Sequence, residues 1–108
     1  MNFEVLQSVE FEKEAKYLSK KYPSFKYDLK ELADSLSLKP SQGSSLGNNC
    51  YKVRMSISSK AKGKRGGARV ITYVVIHELS VLLLGVYDKS TKETMSDKEI
   101  VDRLKNYL

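Results

Sequence analysis

The 108-residue chain has one cysteine, Cys50, and one histidine, His77. A lone cysteine cannot form an internal disulfide, and no Cys/His set stands at metal-ligand spacing. A structural zinc is therefore excluded, and no metal or other cofactor is expected. Long apolar runs are missing too: the longest apolar region, Val70 to Val86, is interrupted by His77, Glu78 and Ser80 and falls short of a membrane span. Met1 to Leu6 lacks the basic region and apolar stretch of a signal peptide. A soluble, cytoplasmic protein with no membrane partner is the expectation. The most informative absence is one of sign, since no Asp or Glu occurs from Ser35 to His77.

Across that segment Lys39, Lys52, Arg54, Lys60, Lys62, Lys64, Arg65 and Arg69 supply eight positive charges. The rest of the chain carries eleven bases against thirteen acids, so the whole formal net charge of +6 resides in the middle. Clustered cations raise the local potential and release counterions from a polyphosphate, which points to an anionic partner. A solvated loop kept soluble by its lysines is the plainer alternative. With 41% hydrophobic and 30% charged residues, the chain suffices for one core and not for two, so one domain over residues 1–108 is expected.

Asn2 to Leu6 alternate polar and apolar as a short strand does. Ser8 offers an N-cap to a helix whose inner side is Phe11, Ala15, Leu18 and Tyr22, and Pro23 breaks it. Phe25, Leu29, Leu32, Ala33 and Leu36 renew the helical period to about Leu38, which makes a helical hairpin with a very short turn. Ser41 to Asn49 is rich in turn formers and reads as an exposed loop. From Cys50 to Ile57, Tyr51, Val53, Met55 and Ile57 alternate with Lys52, Arg54 and Ser56, so one strand face is apolar and the other bears two cations. A basic connection, Ser58 to Gly67, leads to the β-branched run Ala68 to Ile76, a reversal at His77 to Ser80 and a further strand, Val81 to Tyr87. Ser96 to Glu99 matches a capping box ahead of Ile100, Val101, Leu104 and Leu108, the apolar side of a C-terminal helix. The order β-α-α-β-β-β-α predicts an α+β fold, a helical hairpin packed on one face of a mainly antiparallel four-stranded sheet, with the other face free for function.

Tyr51-Lys52-Val53-Arg54, then Gly63 to Tyr73, then Tyr87-Asp88-Lys89-Ser90, in this order behind two helices, resemble the RelE/HigB toxins of bacterial type II toxin-antitoxin systems. The resemblance covers nearly the whole chain. It implies a small endoribonuclease that enters the 30S A site of the ribosome, cuts mRNA there and is held inactive by a cognate antitoxin protein. Lys52, Arg54 and Arg69 match the family's basic strand residues and Lys89 a fourth basic position, so these four are the catalytic candidates the resemblance implies. The family's RelE also uses a tyrosine after that fourth position, whereas Thr91 to Ser96 contains none; Tyr87 precedes this stretch and Tyr107 lies on the last helix.

RNA is cut without a metal when its own 2′-hydroxyl attacks the adjacent phosphate. Arg54 and Arg69 suit charge stabilisation, because a guanidinium donates two parallel hydrogen bonds to phosphate oxygens. An arginine at the exposed start of a strand is the structural alternative for Arg69. Lys52 could pass a proton only if its neutral form were accessible near neutral pH, which a neighbouring cation such as Arg54 favours; otherwise it binds phosphate. Lys60, Lys62, Lys64 and Arg65 are expected to dock RNA backbone. Tyr87 reads equally as a base-stacking ring or a packing residue, Cys50 as a small strand hydrophobe and His77 as a turn residue. A non-catalytic binder of RNA or an acidic partner, and a ParE-type gyrase inhibitor, are the alternatives to a nuclease.

Overall fold

The computed structural model of the protein describes residues 2–60 and 67–107. Strand β1 (Glu4–Gln7) leads into helices α1 (Val9–Lys21) and α2 (Phe25–Leu38), then strands β2 (Ser44–Gly47), β3 (Cys50–Met55), β4 (Ala68–Val75) and β5 (Ser80–Asp88), and helix α3 (Asp97–Leu104). The five strands lie in the order β1-β5-β4-β3-β2, with β1 parallel to β5 and every other pair antiparallel. The expected α+β class, the helical hairpin and the mainly antiparallel sheet are all present, with five strands in place of four. The extra strand is β2, taken from sequence for loop. Asn48 and Asn49 both adopt positive φ, 53° and 62°, the geometry of a two-residue hairpin turn that returns Gly47 against Cys50.

Period-3.6 apolar residues of the helices and period-2 residues of the strands meet on one face of the sheet. Phe11 and Leu18 of α1 and Phe25, Leu32 and Leu36 of α2 pack on Val53, Met55, Val70, Val74, Val81, Leu83 and Val86. Ser8 caps α1 by accepting from the Phe11 amide at 3.1 Å, as its position predicts. The second face is not left free: Met95, Ile100 and Leu104 cover Cys50, Ile71, Leu84 and Tyr87. An amphipathic α3 has one apolar side to bury, and the helical hairpin already occupies the other face. At its start Ser96 accepts from the Glu99 amide at 3.2 Å, but the Glu99 carboxylate pairs with Lys92 and Arg103 instead of closing the capping box.

A bulge in β5 adjusts the register of the site. Ile71 faces Gly85 while Thr72 faces Leu83, which leaves Leu84 as the extra residue and lets Leu83 and Val86 both point at the helices. A Cβ on Gly85 would lie 2.5 Å from Nη1 of Arg103, so the glycine gives the arginine its passage across the strand. That passage protects an edge. β1 pairs with β5 only as far as Leu83; beyond it the Leu84 carbonyl accepts from Arg103 at 2.9 Å and the Val86 amide donates to Glu14 at 3.0 Å. Arg103 and Glu14 bond to each other at 2.7 and 2.9 Å, tying α3 to α1 over the exposed strand edge.

Candidate nucleic-acid interface

Side-chain alternation places Lys52 and Arg54 on the face of β3 that turns away from the helical hairpin. The register then puts Arg54 directly opposite Arg69 of β4, and Arg69 directly opposite Tyr87 of β5. Residues so opposed sit about 4.5–5.5 Å apart at Cα, so the two arginines rise side by side. Like charges in that position cost about 0.2–1 kcal/mol in an isolated sheet. Two guanidinium groups so placed are able to donate to one anion between them. Arg54 is exposed, and Arg69, Lys52 and Lys89 are half-buried.

The segment after β5 closes one side of this row. The Lys89 amide donates to the Gly67 carbonyl at 3.1 Å, and its ammonium reaches the Glu93 carbonyl at 2.9 Å. Lys52 Nζ lies 3.5 Å from the Thr94 hydroxyl. Lys92, which sequence reasoning did not single out, stands with its ammonium 5.9 Å from the centre of the Tyr87 ring and bonds Glu99 at 3.2 Å. The four cations from separate parts of the sequence, Lys52, Arg54, Arg69 and Lys89, thus gather at one end of one sheet face.

Two expected RNA contacts are placed differently. Tyr87 is 5% exposed and belongs to the apolar cluster of Ile71, Leu84 and Met95, so its ring offers no face to a base; its hydroxyl is buried without a hydrogen-bond partner among the described residues. Packing against Met95 is the physical reason. Lys60 has a 10% exposed side chain and bonds Asp88 at 2.8 Å, which withdraws it from the surface. Lys62, Lys64 and Arg65 lie outside the described residues. His77 is exposed in a short 3-10 turn, Ile76–Glu78, and Cys50 is buried in the strand.

Two buried carboxylates organise the foot of the basic loop. Asp88, 2% exposed at its side chain, accepts from Lys60, from the Tyr22 hydroxyl, from Lys21 at 3.4 Å, and from the amide and hydroxyl of Ser90 at 2.9 and 2.7 Å. Burial alone would push its carboxyl up, but bonds from Lys60, Tyr22 and Ser90 outweigh that and hold it well below the usual carboxylate range. Asp28 on α2 accepts from the Ser58 amide and hydroxyl at 2.9 and 2.6 Å and from Ser24 at 2.7 Å. There too burial opposes ionisation, and the bonds from Ser58 and Ser24 prevail to lower the carboxyl. The sequence holds a signal for Asp88, because Asp-x-Ser at a strand end is an Asx turn in which the carboxylate accepts from the amide two residues on.

Among the described residues no group of three or more His, Cys, Asp or Glu side chains could hold a metal, and no helix is long and apolar enough to cross a membrane. What the surface offers chemically is converging cationic donors suited to phosphate oxygens, next to the Thr94 hydroxyl.

A helical hairpin on one face of a mixed five-stranded sheet, a short C-terminal helix on the other and cations gathered at the free end of that second face define a RelE-like fold. The chain superposes on an arginine-to-alanine double mutant of E. coli toxin RelE in the free state with a TM-score of 0.66, at 16% identity over 100% of both chains. It is also similar to a chain of the intact E. coli RelBE toxin-antitoxin complex, with a TM-score of 0.49 and 20% identity, over 82% of this chain and 96% of that one. No protein-family model and no curated protein matches the sequence. At such identities the likeness is one of fold.

Proposed function

We propose that the protein is the toxin of a type II toxin-antitoxin pair, a ribosome-dependent endoribonuclease that cuts mRNA in the 30S A site and so inhibits translation. The observation that carries this reading is the cross-strand pair Arg54–Arg69, flanked by Lys52 and Lys89, on a fold shared with E. coli toxin RelE. In the reaction the 2′-oxygen attacks the neighbouring phosphorus, the bond to the 5′-oxygen breaks, and the products carry a 2′,3′-cyclic phosphate and a 5′-hydroxyl. Arg54 and Arg69 donate to the non-bridging oxygens as charge accumulates on them. Lys52 and Lys89 bind the flanking phosphates; the 2′-proton leaves to water or to a neighbouring base, and the departing 5′-oxygen takes a proton from water or from a lysine ammonium of the site. The ribosome supplies the rest by holding the mRNA strand in line. A cognate antitoxin neutralises the protein in part by covering the basic face.

A second reading, a non-catalytic binder of RNA or of an acidic partner, is favoured by one feature: the gathered side chains are all lysine or arginine, with no histidine among them to exchange a proton, and the nearby Tyr87 hydroxyl is buried. Translating ribosomes programmed with a defined mRNA separate the two. The nuclease reading expects cleavage only on ribosomes, with 2′,3′-cyclic-phosphate and 5′-hydroxyl ends. Binding without cleavage selects the second reading, and inhibition of gyrase without RNA cuts selects a ParE-type toxin.

A further inference from the structure

We infer that Asp88 is a positioning residue for the cationic face: paired with Lys60, it holds Gly67, two residues before Arg69, to the turn that carries Lys89, so that Arg69 and Lys89 meet an anion as one unit. The inference rests on the anion-binding reading of that face. The contacts of Asp88 join three segments distant in sequence, namely the end of α1 through Lys21 and Tyr22, the loop foot through Lys60, and the turn through Ser90. Lys60 also reaches the Gly67 carbonyl at 3.4 Å, the same carbonyl that accepts from the Lys89 amide at 3.1 Å. Both feet of the loop and the base of Lys89 therefore share one set of hydrogen bonds. Gly67 completes the junction: its φ is +44°, and a Cβ there would lie 2.4 Å from the Met55 carbonyl oxygen, so the backbone passes directly over the end of β3. Asp28 provides an internal contrast, since it fixes Ser58 to α2 and has no bond to Lys60, Gly67 or Lys89.

A buried ion pair holds a chain no better than well-packed apolar groups, so its distinguishing contribution is a particular arrangement. The test uses the full chain with the variants Asp88→Asn, Lys60→Met, their double mutant, Lys60→Arg and Asp28→Asn. Binding of a ten-nucleotide oligouridylate is followed by fluorescence anisotropy, and the Gly67 and Lys89 amides by NMR of the free protein. Asp88→Asn and Lys60→Met are each expected to lose about tenfold in affinity, with the double mutant no weaker than either alone, because both remove the same clamp. The Gly67 and Lys89 amide signals move in both, Lys60→Arg retains binding, and Asp28→Asn lowers Tm while keeping affinity within about twofold. Additive losses, which would mean that Lys60 touches RNA itself, or unchanged affinity in the folded variants, would overturn the clamp while leaving the anion-binding reading standing. Absence of oligouridylate binding by the wild type would remove that reading and the clamp's role with it.

Discussion

Lys60 and Arg54 come from the same acid-free stretch and carry the same charge, yet the fold uses them in opposite ways. Lys60 is drawn inward onto a carboxylate that also engages α1 and the Ser90 turn. Arg54 stays exposed, opposite a second arginine. The neutralising acid, Asp88, lies outside the segment that looked uncompensated. Charge counted along a sequence is therefore not charge offered to a partner: part of it is spent inside the molecule, and part stays exposed on the second sheet face.

The comparison breaks most visibly at the offered end. Arg69→Ala is expected to lower cleavage on ribosomes by about 10²- to 10³-fold, the loss typical of removing one donor to a transition-state oxyanion, while urea unfolding moves by less than about 1 kcal/mol. At the spent end the effect is reversed in kind. Asp88→Ala leaves Lys60 half-entombed without its counter-ion, and a loss of about 3 kcal/mol in unfolding free energy is expected from chemical denaturation.

Acid sharpens the contrast. A carboxyl whose folded pKa is depressed stabilises the fold above its unfolded value, near 4 for aspartate, and that stabilisation is lost as pH falls through the folded value. Asp88 and Asp28 both behave this way. Wild-type stability attributable to them should be level from pH 7 to about 5 and then fall by on the order of 2 kcal/mol towards pH 2; in Asp88→Asn the fall should be visibly shallower. The smallest effect belongs to charges that neither region uses: breaking the exposed Lys30–Asp34 pair with Lys30→Ala should change stability by no more than about 0.5 kcal/mol.

Much of the fold is legible in the residues because local periodicity and burial agree. Phe11 and Leu18, Phe25, Leu32 and Leu36, and the alternation of Val53 and Met55 with Lys52 and Arg54 all point where the structure has them. Legibility ends where tertiary geometry decides. The Asn48–Asn49 turn makes a strand of Ser44–Gly47, and the bulge at Leu84 shifts the facing pattern of β5 by one residue. Met95, just before α3, and α3 itself come back over the second face and bury Tyr87. The candidate site divides in the same way. Lys52 and Arg54 share a strand face by period alone, whereas the pairing of Arg54 with Arg69 and the loss of Lys60 to Asp88 depend on register and on contacts between residues far apart in sequence.

The central claim is that the Arg54–Arg69 pair cuts translated mRNA. Inducing wild type and Arg69→Ala in a bacterial host, while following growth and mapping mRNA 5′ ends, tests it most directly. The account predicts growth arrest with new 5′-hydroxyl ends inside translated frames, both lost in Arg69→Ala at equal protein level. Arrest with intact mRNA, or cuts that persist in Arg69→Ala, would contradict it.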